Sequence, residues 1–125
     1  MTDRELLEMA AKAAGVSAYW STDGTIQARP LFVVSVIGAT GEMPYEEEWN
    51  PLKSDGDALR LAVKLGIDIE THGCNSAHPF ACAFDCERNI AEEEQPDNGD
   101  PYAATRRAIV RAAAAIGAAA QKGTP

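Results

Sequence analysis

The sequence has little positive charge, few aromatic residues and no long apolar run. Eleven Lys and Arg stand against nineteen Asp and Glu, giving a net charge of -8 and a pI of about 4.6. Without an excess of cations to neutralise phosphates, direct nucleic-acid binding is excluded. No stretch approaches the roughly 20 apolar residues that span a bilayer, so no membrane role is expected. The start, Met1-Thr2-Asp3-Arg4-Glu5, runs straight into an amphipathic helix and has no signal-peptide core, which predicts a cytoplasmic chain. Cysteine is scarce and odd in number, at three, which suits a reducing compartment better than a disulfide framework. Aromatics make up 6% of residues and much of the 46% hydrophobic content is alanine, so the core must rest on few large side chains. Modest stability is expected, and an alanine-rich last helix that packs against its own copy would give a homodimer.

What is present reads as one domain over residues 1–125. A first helix is predicted over Asp3–Ala14, with Thr2 and Glu5 as a capping box and Gly15 as the stop. Leu6, Met9, Ala10 and Ala13 line its apolar face, with Leu7 beside them. Short strands are expected at Val16–Trp20 and, after an Asp23-Gly24 turn, at Ile26–Ala28. Leu31–Ile37 is nearly continuous in apolar and β-branched residues, as a central strand covered by helices would be. Residues 38–51 read as a flexible acidic loop. Ser54 caps a helix over Asp55–Leu65 whose stripe is Ala58, Leu61, Ala62 and Leu65, widened by Leu59; Gly66 stops it. Ile67–Glu70 alternates like a strand with one wet face, and Phe80–Phe84 is a further strand. Residues 91–100 form a second flexible acidic loop. Asp100 and Pro101 then open a helix that puts Tyr102, Thr105, Ile109, Ala112 and Ile116 on one face, runs to Gly117, and leaves a frayed tail at Gln121–Pro125. The order α-β-β-α-β-β-α implies an α+β fold, three helices on an antiparallel sheet of about four strands.

Three blocks carry a resemblance. They are the N-terminal helix, Trp49-Asn50-Pro51-Leu52 leading into Asp55-Gly56-Asp57-Ala58-Leu59-Arg60-Leu61-Ala62-Val63-Lys64-Leu65, and Ala104-Thr105-Arg106-Arg107-Ala108-Ile109-Val110. Together they resemble a group of small proteins from tailed phages and prophages of proteobacteria, and more weakly the phage α-β-α sandwich domains. The group has no established activity to carry over. The resemblance implies a phage origin and a place of action in the host bacterial cytoplasm.

Chemistry-bearing residues gather in one segment. His72, Cys74, His78, Cys82 and Cys86 hold every imidazole and thiol of the chain. Mixed Cys and His ligands suit tetrahedral zinc, although Cys-x2-Cys knuckles are missing. The competing reading is burial, because Cys82 and Cys86 would share a strand face with Phe80 and Phe84. A Cys–His nucleophile needs a hydrogen-bonded thiolate and an oxyanion hole, and proximity in sequence supplies neither. Asp55-Gly56-Asp57 lacks the distal glutamate of a calcium loop and suits a helix N-terminus. No phosphate loop, nucleophile elbow or zinc-protease motif occurs.

The reading that follows is a non-enzymatic accessory protein, without a cofactor, that binds a host bacterial protein or complex. Its candidate contact residues are Glu46, Glu47, Glu48 and Trp49, the second acidic block Glu92, Glu93 and Glu94, and Arg107 and Arg111. An acidic surface of this size would occlude a basic groove, as an inhibitor of a host defence system such as CRISPR–Cas does. The alternative is a small-ligand or zinc-binding domain that uses the His72–Cys86 cluster. For the acidic blocks the competing reading is solvated charge, and for the arginines it is salt bridging to the acidic surface.

Overall fold

A computed structural model describes residues 1–21, 31–36, 44–72, 80–96 and 100–122. Within them the chain runs α1 (Asp3–Ala14), β1 (Ala18–Ser21), β2 (Leu31–Val36), β3 (Tyr45–Glu48), α2 (Asp55–Leu65), β4 (Asp68–His72), β5 (Phe80–Asp85), β6 (Ile90–Glu94) and α3 (Pro101–Lys122). The class is α+β as expected, but six strands form two three-stranded antiparallel sheets rather than one sheet of about four. The first sheet has the order β1-β2-β3 and the second β4-β5-β6.

The two extra strands come from the acidic segments expected to be loops. Tyr45–Glu48 pairs with β2, placing Glu48 opposite Val33 and Tyr45 opposite Val36. Ile90–Glu94 pairs with β5, placing Glu94 opposite Ala81 and Ile90 opposite Asp85. Neither shows apolar alternation, the usual mark of a strand. Each instead satisfies the backbone amides and carbonyls along one side of a central strand. In β6 the alternation lies in what the carboxylates face: Glu92 and Glu94 meet arginines of α3 while Glu93 points away. The expected strand at Ile26–Ala28, its Asp23-Gly24 turn and residues 37–43 lie outside the described residues.

The helix ends follow elementary capping rules. The Thr2 hydroxyl oxygen accepts from the Glu5 amide at 3.2 Å and in turn donates to the Glu5 carboxylate at 3.3 Å, a variant of the predicted box. Gly15 and Gly66 end α1 and α2 at φ of 70° and 69°, where a Cβ would be strained. Asp100 caps α3, its Oδ1 accepting from the Tyr102 and Ala103 amides.

The third helix is the axis of the molecule. It touches α1, α2 and all three strands of the second sheet. Ala104, Ala108, Ile109, Val110, Ala112, Ala113, Ala114 and Ile116 are all buried, far more than one stripe. Tyr102, expected on the buried face, is exposed, because Ala104 and Ala108 take the positions that meet the sheet and α1. The helix also continues through Gly117 to Lys122 instead of stopping. At Gly117 an added Cβ would lie 2.4 Å from the Met9 carbonyl oxygen and 3.5 Å from the Ala13 Cβ. Glycine here permits close approach of two helices.

On α1, two adjacent stripes serve two partners. Leu6, Ala10 and Ala14 join the core around α3, and Leu7 and Ala11 pack with Phe32 of β2. Around Phe32 stand both tryptophans: Trp20 at 4.7 Å between ring centroids and Trp49 at 5.9 Å, edge to face. The Arg4 guanidinium sits 4.4 Å over the Trp20 ring, and the Trp20 indole N–H donates to Glu8 at 3.0 Å. These contacts fasten the first sheet to α1.

Candidate functional site

The segment Trp49-Asn50-Pro51-Leu52 builds a corner between β3 and α2. The Trp49 amide donates to the Phe32 carbonyl at 2.8 Å, and Pro51 is among the most completely buried side chains. The Asn50 side chain accepts from the Leu52 amide at 3.1 Å, closing an Asx turn, while the Asn50 amide donates to Asp57 at 2.9 Å. Ser54 caps α2 by accepting from the Asp57 amide at 3.2 Å. Arg106 of α3 locks the corner from outside. Its Nε donates to the Leu52 carbonyl at 2.9 Å and its Nη1 to Asp55 at 2.6 Å. Its side chain is only 17% exposed. The Trp49–Leu65 segment and Arg106 of α3 therefore meet in one structural joint, and Trp49, expected as a contact residue, is half-buried within it.

The second acidic block is consumed inside the fold. Arg111 contacts Glu92 at 2.9 Å and Glu94 at 2.5 Å, and Arg107 contacts Asp3 at 3.0 Å and Glu94 at 3.8 Å. The hydrogen bond that Arg111 donates to Glu94 leads in holding Arg111 above its ordinary basicity, against the cost of its partial burial. Glu92, Glu94, Arg107 and Arg111, all expected to face a partner, tie β6 to α3 and α1. Glu93 is exposed on the opposite face of the sheet.

The first block differs. All four residues of β3 are exposed, and β3 is an outer strand of its sheet. Ser21 donates to Glu46 at 3.1 Å. In an extended strand Glu46 and Glu48 project to one side, on the order of 7 Å apart, with Glu47 on the other.

The proposed metal cluster finds no support in the described residues. Cys74, His78 and the His72 side chain lie outside them. Cys82 is half-buried on the face of β5 turned away from α3, opposite Glu70 and Glu93, and Cys86 is exposed in the turn that follows. The expected shared burial of Cys82 and Cys86 fails because Ala81, Ala83 and Asp85 take the inward face. Burial first, then Glu93 and Glu70, raises the Cys82 thiol above its ordinary value, which disfavours the thiolate that metal binding and nucleophilic attack need. Among the described residues no group of three His, Cys, Asp or Glu is placed to hold a metal ion.

Beyond Cys86 the β5–β6 turn is held by Asp85. Its Oδ1 accepts from the Glu87 and Arg88 amides, its Oδ2 pairs with the Arg88 guanidinium, and Asn89 takes a positive φ of 56°. The Arg88 hydrogen bond, chiefly, holds the Asp85 carboxyl below its ordinary range. A carboxyl depressed in the folded state stabilises above its unfolded pKa, and that contribution fades as the pH falls through the folded value. Asp85→Asn is expected to unfold at lower urea than the parent at pH 7. The gap should narrow steadily on acidification below the ordinary carboxylate range, as read from midpoints across pH. A constant gap would show that the charge of Asp85 is immaterial.

A cleft of about 410 Å³ opens between α2, the first turns of α3 and β4. Leu59, Ile69 and Tyr102 line it while 59%, 37% and 69% exposed, with Ile109 at the floor and Asp55 and Arg106 on the wall. The sequence counted Leu59 and Tyr102 as core. Their signal was a surplus: both helices carry wider apolar stripes than their neighbours cover. No helix among the described residues is long and apolar enough to cross a membrane. No protein-family model, curated protein or solved structure matches this chain.

Proposed function

We propose that this chain is a phage- or prophage-encoded accessory protein that acts by binding a host protein, with the β3 edge as the contact. The observation that carries the reading is the first sheet's outer strand, on which Glu46, Glu47 and Glu48 follow one another, all exposed. A row of carboxylates on a stiff strand suits a lysine- and arginine-lined groove of the kind that holds nucleic acid. The net charge of -8 steers such an encounter. Occlusion of that groove would inhibit the partner, and a host defence complex such as a CRISPR–Cas effector is the target class we favour. Glu92 and Glu94 do not belong to this contact, since Arg107 and Arg111 neutralise them internally.

The test compares the parent with the triple variant Glu46→Gln, Glu47→Gln, Glu48→Gln in capture from bacterial lysate at physiological salt. The captured protein is then assayed for nucleic-acid binding. The expected result is a nucleic-acid-binding partner whose capture falls at least tenfold with the variant and with added salt, and whose nucleic acid is displaced by the parent. Capture that ignores the three substitutions, or a partner that keeps its nucleic acid, would refute the reading.

A further inference from the structure

The cleft between α2, α3 and β4 shares no residue with the acidic edge and has a chemistry of its own. Its volume of about 410 Å³ falls within the range of roughly 300–1,000 Å³ typical of small-molecule sites. On an otherwise carboxylate-rich surface, Leu59, Ile69 and Tyr102 keep large apolar areas in water around one concavity.

The polar part of the wall is one ion pair, and its two members are held very differently. Arg106 is fixed: its side chain is mostly buried and its Nε is tied to the Leu52 carbonyl. Asp55 is loosely placed, with a side chain 70% exposed and Arg106 as its partner across the wall. A guanidinium carries five N–H donors, and these two contacts use two of them. Asp55 therefore acts as a replaceable counter-ion. A ligand carboxylate that took its place would meet a guanidinium already oriented, and Asp55 would turn to water at little cost. Both helices also begin at the cleft, α2 with Asp55 and α3 with Pro101, so the positive ends of two helix dipoles favour an anion there and offset the protein's negative charge locally.

We propose that this cleft binds an amphiphilic carboxylate. The carboxylate occupies the place of Asp55 on Arg106, and an apolar chain or ring lies against Leu59, Ile69, Tyr102 and Ile109. Octanoate and 1-octanol are the probes, matched in chain length and different in the headgroup, and titration calorimetry is the readout. Octanoate is expected to bind once per chain, and octanol about tenfold more weakly, the usual worth of a charge-assisted hydrogen bond. Asp55→Asn removes the competing carboxylate and should tighten octanoate several-fold while leaving octanol unchanged. Leu59→Glu, at an exposed position that tolerates charge, should weaken both. Absence of saturable binding by octanoate overturns the proposal. So does equal affinity for acid and alcohol, no gain with Asp55→Asn, or parental binding by Leu59→Glu. None of these outcomes touches the β3 reading, whose test uses other residues.

Discussion

Gly117→Ala will destabilise the protein, although alanine is the better helix former. In an unhindered helix interior this exchange gains about 1 kcal/mol. Here the new methyl would stand 2.4 Å from the Met9 carbonyl oxygen, and a carbonyl in a helix backbone cannot turn aside as a side chain can. Relief requires α1 to move as a unit away from α3, opening contacts at Ala10, Ala14 and Ala113, all buried. Overpacking of this kind costs about 1–3 kcal/mol, and the small alanines on both helices leave no slack to absorb it. A net loss of up to about 2 kcal/mol is expected in urea denaturation, and Gly117→Leu should prevent the two helices from docking at all. An unchanged or raised midpoint for Gly117→Ala would mean that α1 and α3 do not approach as closely as described.

Phe32→Ala should cost more, about 3–5 kcal/mol, the usual range for deleting a buried phenyl ring. Among the described residues Phe32 is the largest buried side chain of the cluster that joins the first sheet to α1, its fellows there being Leu7 and Ala11. Both tryptophans of the chain rest on its ring, and aromatic pairs add about 0.5–1.5 kcal/mol beyond area burial. The loss should be local at first. Amides of β1, β2 and β3 are expected to exchange far faster, while β5 and α3 stay protected, because the second sheet packs on α3 without Phe32. Indole fluorescence should shift to the red together with that loss. Uniform loss of protection across both sheets would show that they unfold as one unit.

Much of the helical frame was legible because it rests on local chemistry. Thr2, Gly15, Ser54, Gly66 and Asp100 mark helix ends by capping alone, and α2 has the bounds that its stripe and caps dictate. Leu31–Val36 was legible as a central strand because both its sides and much of its length are apolar. The remainder depends on partners distant in sequence. Glu46–Glu48 has no strand pattern of its own and becomes one only because β2 offers a backbone edge. Ile90–Glu94 carries three like charges in a row, and its alternation of face shows only once Arg107 and Arg111 are known to lie above Glu92 and Glu94. Gly117 looked like a stop because glycine usually is one there, and nothing local reveals Met9 lying across it. The candidate contact residues were read from charge, and charge does not say whether a carboxylate faces water or an arginine. Hence Glu46–Glu48 stayed on the surface while Glu92 and Glu94 did not.

The position of α3 at the centre governs how the molecule can be assembled. It is synthesised after every element it joins, and its closest companion, α1, lies about a hundred residues earlier in the chain. On the ribosome, α2, the second sheet and the Leu6–Ala10–Ala14 stripe of α1 thus emerge uncovered, and none can be fully buried until Ala104 to Ile116 has left the exit tunnel. Contacts so distant in sequence make closure slow, since a long loop must be ordered before any of them forms. Through that interval those faces stay open to aggregation, and the core around α3 closes last.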